Sequence, residues 1–203
     1  MTELGMTQRH GRLLTVLSLL LGLTACGSLP DEVTDVNGVP CMTFRKTHAP
    51  KRICAANPAP SAEVAREIKT FAPDPASAQV LVKLLDRAGA TRALSLRVNG
   101  QAVADLVPGG LVRLRLSPGE HELAVAWGNQ QATLSVQVRA GDVQFAEVGG
   151  RFRFWDVGFG WNAPDTEGAR KRAASARVLA DVCLLYTSPS PRDQRGSRMP
   201  SSA

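Results

Sequence analysis

The sequence has few aromatic residues, few histidines and no apolar run long enough to cross a membrane. Aromatic side chains make up 5% of the 203 residues, and there are three histidines. The longest nearly apolar stretch extends only from Leu13 to Leu23. A membrane-spanning helix needs about 20 residues, so this stretch has the length of an export signal instead.

Motifs that carry catalysis are also missing. The sequence contains no Gly-x-Ser-x-Gly elbow, no Gly-rich phosphate loop between a strand and a helix, and no prominent carboxylate pair. His121 is flanked by Glu120 and Glu122, which on a strand point to the opposite face and cannot orient the imidazole. We therefore expect His121 to pack at a turn, and we assign no catalytic residue, no metal ligand and no cofactor.

The N-terminus has the order of features of an export signal. Arg9 and Arg12 precede the apolar run, which ends in Leu23-Thr-Ala-Cys26-Gly27. Small residues before a cysteine give a peptidase access to the bond, and a thiol can carry diacylglycerol as a thioether. This pattern resembles the lipobox of bacterial lipoproteins. An ordinary signal peptide cleaved near Ala25 is the alternative.

The lipobox resemblance implies an anchor and a location. Residues 1–25 would be removed, and Cys26 would become the lipidated N-terminus of the mature chain. Two or more acyl chains hold a protein stably on a membrane. Gly27, in place of aspartate, favours the periplasmic face of the outer membrane, with the inner membrane as the alternative.

The C-terminal segment, residues 183–203, resembles a translated sequencing adapter. Residues 183–193 and 197–203 carry the resemblance, and residues 194–196 stand where index bases would fall. Setting both ends aside leaves residues 26–182, with 19 basic and 16 acidic side chains and a net charge of +3 instead of +6. This balance does not indicate a nucleic-acid-binding protein.

Two cysteines remain in the exported part once Cys26 and Cys183 are set aside. Cys41 and Cys54 form an even pair in a chain sent to an oxidising compartment, which favours a disulfide. Free thiols are one alternative; a metal site with His48, which lies between the two cysteines, is the other, although structural zinc sites usually have four ligands. We interpret residues 26–60 as a tether followed by this disulfide-stapled segment.

The rest of the chain has mainly β periodicity. Residues 61–72 predict a short helix capped by Ser61, and residues 163–182 predict a C-terminal helix truncated by the adapter-like segment. Between them, residues 73–162 alternate apolar and polar positions between glycine-rich turns. About eight strands are predicted: 79–85, 94–98, 101–106, 112–116, 123–127, 134–138, 143–148 and 151–157. This spacing is typical of a small antiparallel β-sandwich.

Three pieces of the β region carry a family resemblance. They are the lead-in at residues 71–80, the hairpin at residues 97–101, and the strand start from Ser117 to His121. In this order they resemble the bacterial lipoproteins called domain of unknown function 2846. The resemblance covers roughly residues 71–148 and implies a β-rich envelope lipoprotein, without implying any activity.

Two groups of side chains are candidates for a ligand or partner surface. Arginines fall on polar strand positions and would form a basic face if their strands are neighbours; Arg113 and Arg115 lead this group, with Arg97, Arg139, Arg151 and Arg153. Aromatics are dense near residue 155, where Trp155, Phe159 and Trp161 could line a groove or close the core. We expect a non-catalytic binding or scaffolding domain that meets membrane lipid through Cys26 and an envelope protein, glycan or lipopolysaccharide through its surface. A ligand-binding accessory protein and, with less support, an enzyme are the alternatives.

Overall fold

The computed structural model describes residues 33–46, 49–85, 92–153, 156–163 and 165–185, all within one compact unit of residues 31–203. Within these ranges it has twelve strands and two helices, so the expected mainly β fold is confirmed. The elements are β1 (Val33–Val36), β2 (Val39–Lys46), β3 (Ala49–Cys54), α1 (Ala62–Ile68), β4 (Ala78–Leu84), β5 (Leu94–Val98), β6 (Gln101–Leu106), β7 (Gly110–Leu116), β8 (Gly119–Trp127), β9 (Gln130–Val138), β10 (Val143–Arg153), β11 (Asp156–Trp161), α2 (Thr166–Ser175) and β12 (Arg177–Leu184).

Two sheets form the sandwich. The first has the order β11-β10-β4-β7-β12, and the second has the order β6-β5-β8-β9. Alternate residues of both sheets meet in the main core, as the alternating apolar pattern predicts. Among the most deeply buried are Leu84, Leu96, Leu114 and Leu123, each with 0% of its surface exposed.

The five-stranded sheet is mixed, not purely antiparallel as expected. β4 pairs with β10 in parallel, and β7 pairs with β12 in parallel, whereas β4 and β7 are antiparallel. Helix α2 connects β11 at one edge of this sheet to β12 at the other, and a parallel strand requires a crossover of this kind.

The helices cover the outer face of this sheet. A second apolar cluster joins Ala65 and Ile68 of α1, Ala173 of α2, and Leu81 and Leu111 of the sheet. Because both of its faces are covered, β4 is buried along its whole length. Within the described residues, neither helix is long or apolar enough to cross a membrane.

Residues 33–54 fold into a third sheet of order β1-β2-β3, although we expected residues 26–60 to begin with a tether. Asn37 and Gly38 have positive φ angles of 53° and 79°, the conformation of a tight hairpin turn between β1 and β2. Met42 is fully buried and Ile53 is 5% exposed, and both join the main core of the sandwich. The expected tether is therefore wrong from Val33 onward, because the chain there is part of the folded domain.

The predicted C-terminal helix over residues 163–182 is wrong in its second half. Helix α2 begins after its N-cap Asp165 and ends at Ser175. β12 follows and pairs with β7, placing Val178, Leu179 and Ala180 against the two cores. β12 also contains Cys183 and Leu184, the first two residues of the adapter-like segment; from residue 186 onward that segment lies outside the described residues.

Candidate functional site

The structure does not bring the two predicted groups of surface residues together. Arg113 and Arg115 lie on β7, whereas Phe159 and Trp161 lie on β11. β10 and β4 separate these strands in the sheet, a distance of about 14 Å at the usual strand spacing. The two groups therefore lie on separate parts of the sheet.

Arg113 is buried at the centre of a charged cluster on the outer face of the five-stranded sheet. Its Nη1 and Nη2 donate to Glu67 Oε1 and Oε2, both at 2.8 Å. Its Nε and Nη2 donate to Asp181 Oδ1 and Oδ2 at 2.9 and 2.8 Å. The guanidinium thus holds one carboxylate from α1 and one from β12, each in a bidentate arrangement.

The expectation that Arg113 is a surface residue is wrong. Its side chain is 5% exposed, and its charge is matched by two carboxylates. Burial opposes the charged state, but the hydrogen bonds to Asp181 and Glu67 outweigh burial and raise the pKa of Arg113. The cluster ties α1 and β12 to the middle of the sheet, which is a structural role.

Arg115 is the more accessible arginine of the pair. Its side chain is 35% exposed, and its Nη2 donates to Asp181 Oδ2 at 3.2 Å. Its Nε is buried without a hydrogen-bond partner among the described residues. Arg115 therefore retains N–H donors that a ligand could use. Two other arginines of the predicted basic face are not beside it, because Arg97 is in the second sheet and Arg139 follows β9.

The aromatic residues near the end of the sandwich close its core where they are described. Trp161 is 8% exposed, and its Nε1 donates to the carbonyl of Ala132 on β9 at 3.1 Å. Phe159 is half-buried and packs on the main core. These contacts join β11 to the second sheet, so a groove lined by Trp161 is wrong. Trp155 lies outside the described residues.

His121 packs beneath the β5–β6 hairpin. Its Nε2 is 2.8 Å from the Ser117 carbonyl, and its Nδ1 is 3.1 Å from Asn99 Nδ2. Asn99 Oδ1 accepts from the Glu122 backbone N–H, which leaves the Asn99 amide to donate to Nδ1. His121 Nε2 therefore donates to Ser117. Both ring nitrogens are used within the turn, and Glu120 and Glu122 are exposed on the other face, as expected.

A second charged cluster was not predicted from the sequence. Arg172 of α2 donates from Nε and Nη2 to Glu147 Oε1 and Oε2 of β10, both at 2.7 Å. Its Nη2 also donates to Asp165 Oδ2 at 3.0 Å. Asp165 additionally caps α2, and the Arg172 hydrogen bond, followed by the Gly168 N–H, holds the pKa of Asp165 below its ordinary value.

The disulfide between Cys41 and Cys54 is confirmed, with an S–S distance of 2.03 Å. The two cysteines face each other across β2 and β3. A metal site on these sulfurs is therefore wrong, and the described residues contain no cluster of metal-ligating side chains. Cys26 lies outside the described residues, so its lipidation stays a prediction.

Comparison with protein families, with curated proteins and with solved structures found no match for this chain.

Proposed function

We propose that this chain is an exported lipoprotein, anchored in a membrane through Cys26, whose β-sandwich binds or scaffolds without catalysing a reaction. The observation that carries the proposal is the sequence from Arg9 to Gly27: a basic start, an apolar run of export-signal length, and small residues before a cysteine. The disulfide between Cys41 and Cys54 supports it, because disulfides persist in oxidising compartments outside the cytoplasm.

The covered and uncovered faces of the sandwich support a binding role. Helices α1 and α2 cover the outer face of the five-stranded sheet, whereas no described helix packs on the four-stranded sheet. The outer face of the latter presents exposed polar side chains: Arg97, Glu120, Glu122, Gln131, Thr133, Ser135 and Gln137. An envelope protein, glycan or lipopolysaccharide is the class of partner that we expect. The outer membrane is the proposed location.

The alternative, a ligand-binding accessory protein, has less support because Trp161, one of its proposed ligand contacts, is buried between the sheets. The resemblance to domain of unknown function 2846 agrees with an envelope lipoprotein and adds no activity. Hydrolytic activity lost in His121→Ala while folding is retained would support an enzyme and overturn the proposal.

Metabolic labelling with radioactive palmitate tests the anchor. We expect label on the wild-type chain, none on Cys26→Ser, and wild-type labelling of the control Cys183→Ser, because Cys183 is the free cysteine of the described residues. The mass of the N-terminal peptide should give Cys26 as the first residue with its acyl groups. A wild-type chain that is unprocessed and free of fatty acid would overturn the proposal.

A further inference from the structure

We propose that the disulfide-stapled hairpin β2–β3 is a cationic docking element for the phosphate groups of an anionic lipid surface. The inference deepens the proposed function, because the anchor would bring the hairpin to such a surface. It depends on a different part of the chain, however, and is tested separately.

The charge of this segment is entirely positive. From Val36 to Ala62 the sequence has no aspartate or glutamate. The same stretch contains four basic residues, all placed between the two cysteines: Arg45, Lys46, Lys51 and Arg52. The preceding residues 27–35 carry three acidic side chains, Asp31, Glu32 and Asp35, and no basic one, whereas the chain from Glu63 onward mixes both signs.

The ladder places these four residues away from the base of the hairpin. Cys41 is opposite Cys54 at the base, and Met42 is opposite Ile53. Beyond them Arg52 is opposite Thr43, Lys51 is opposite Phe44, Arg45 is opposite Pro50 and Lys46 is opposite Ala49. The four basic positions therefore occupy the distal half of the ribbon, within about 10 Å along the strands.

The base of the hairpin is fixed. The disulfide joins its two strands, and Met42 and Ile53 are buried in the main core of the sandwich. A ribbon that is already held in one register loses little conformational entropy when it binds, which increases its affinity. The base from which the basic residues extend is thus pre-organised by the disulfide and by its contacts with the core.

Within the described residues, two acidic side chains, Asp35 and Asp105, make contacts at the base of the hairpin. Asp35 is beside Pro40 and pairs with Arg177. Asp105 accepts from the Ala56 backbone N–H, also at the base. Lys51 and Arg52 are exposed and form no ion pair within the part of the chain that the structure describes.

The position of the hairpin in the chain favours lipid as the occupant. Val33, the first residue that the structure describes, is seven residues after Cys26, a span of at most about 25 Å. Acyl chains on Cys26 would keep Val33 within this distance of the lipid headgroups. Near an anionic membrane surface each Lys or Arg strengthens binding about fivefold, so Lys51 and Arg52, the hairpin's exposed basic residues among the described side chains, give about a 25-fold preference over a neutral surface.

Vesicle sedimentation tests the hairpin without the anchor. The probe protein is the mature chain from residue 26 with Cys26→Ser, which retains the whole compact unit of residues 31–203. The vesicles are phosphatidylcholine alone or a mixture of phosphatidylcholine with phosphatidylglycerol. We expect binding to the anionic vesicles only, and its loss in about 0.5 M salt, where charges are screened within about 4 Å.

A matched pair of variants assigns the binding to the hairpin. Lys51→Gln with Arg52→Gln should weaken binding about 25-fold. The control, Arg66→Gln with Lys171→Gln, removes one arginine and one lysine charge from exposed positions on α1 and α2 and should leave binding within about twofold. Circular dichroism and the intact disulfide confirm that both variants fold.

The outcomes separate the explanations. Equal weakening by both pairs would mean that net charge alone drives binding and would overturn the proposal, as would the absence of binding to anionic vesicles. Inorganic phosphate that displaces the chain at constant ionic strength would indicate a discrete phosphate site and would also overturn the lipid surface as the partner. Failure of palmitate labelling with hairpin binding intact would refute the anchor and leave this inference standing.

Discussion

Replacing Arg113 tests whether the buried charged cluster holds the helix layer and β12 on the sheet. Arg113→Met keeps much of the volume and removes the four hydrogen bonds to Glu67 and Asp181. The Asp181 side chain, 14% exposed, would then retain only the 3.2 Å contact with Arg115. Removing one partner of a buried ion pair costs about 3–5 kcal/mol, since the other charge stays desolvated.

The two carboxylates should differ in their contributions because they differ in exposure. The Glu67 side chain is 58% exposed, so water can solvate it when its partner is lost, and Glu67→Gln should cost at most about 1 kcal/mol. Arg113→Met should lower the melting temperature by about 6–20 °C, against about 2–4 °C or less for Glu67→Gln.

Thermal and urea unfolding, followed by circular dichroism, measure these differences. A second variant that replaces both charges, Arg113→Met with Asp181→Leu, leaves no unpaired carboxylate on β12 and should be more stable than Arg113→Met alone. If the double variant were the less stable of the two, or if Arg113→Met cost under about 1 kcal/mol, the interpretation of a desolvated cluster would be refuted.

Two further predictions concern packing and pH. A methyl group on Gly110 would overlap the Leu179 side chain, whose Cγ would be 2.6 Å away. Because Leu179 is 2% exposed, Gly110→Ala should cost about 1–3 kcal/mol in urea unfolding. Gly158→Ala, with its nearest atom at 3.8 Å, is the control and should change stability by under about 0.5 kcal/mol. Hydrogen bonds from Ser77 and the Ala76 N–H lower the pKa of Asp74 from its ordinary value of 3.8, and Arg172 with the Gly168 N–H does the same for Asp165. A lowered folded-state pKa adds stability above pH 3.8 that is lost as pH falls through the folded value. Asp74→Asn with Asp165→Asn should therefore reduce stability at pH 7 and narrow the gap to wild type below pH 4; an equal gap at pH 7 and pH 3 would contradict this.

Local sequence patterns were sufficient to predict the antiparallel part of the fold. Asn99 and Gly100 have positive φ angles of 49° and 82°, and the strands on either side, Leu94–Val98 and Gln101–Leu106, have the expected bounds. The same turn signal at Asn37 and Gly38 marks the β1–β2 hairpin. There the signal is not enough to predict strands, because the residues around it do not alternate apolar and polar positions and so favour a tether.

The parallel strands could not be predicted from alternation. β4 is buried on both faces, yet Gln79 and Lys83 interrupt its apolar residues. Its sequence pattern therefore predicts a half-exposed strand instead of a buried parallel one. The helical period of α2 continues through Ala173 and Ala176 as far as Leu179, and it predicts helix where β12 forms. The pairing of β12 with β7 depends on residues far apart in the chain, and no local pattern contains that information.

The burial of Arg113 could not be predicted for the same reason, because it depends on residues that are far apart in the chain. An arginine that alternates with apolar residues on a strand is usually exposed, and its burial here requires α1 and β12 to lie across the outer face of the sheet. The identities of Glu67 and Asp181 as its partners follow only from that packing. The disulfide could be predicted because cysteine count and compartment constrain it directly.

The third sheet changes how the proposed anchor would act. If residues 26–60 were a free tether, it could reach at most about 120 Å, whereas the seven residues from Cys26 to Val33 reach at most about 25 Å. The volume open to the domain near the membrane is therefore smaller, and its effective concentration at the membrane is higher. Folding of residues 33–54 against the sandwich therefore strengthens any surface contact of the domain without adding a contact of its own. This effect is largest for the cationic hairpin, because its first strand begins at Val39, closer in sequence to Cys26 than any strand of the sandwich.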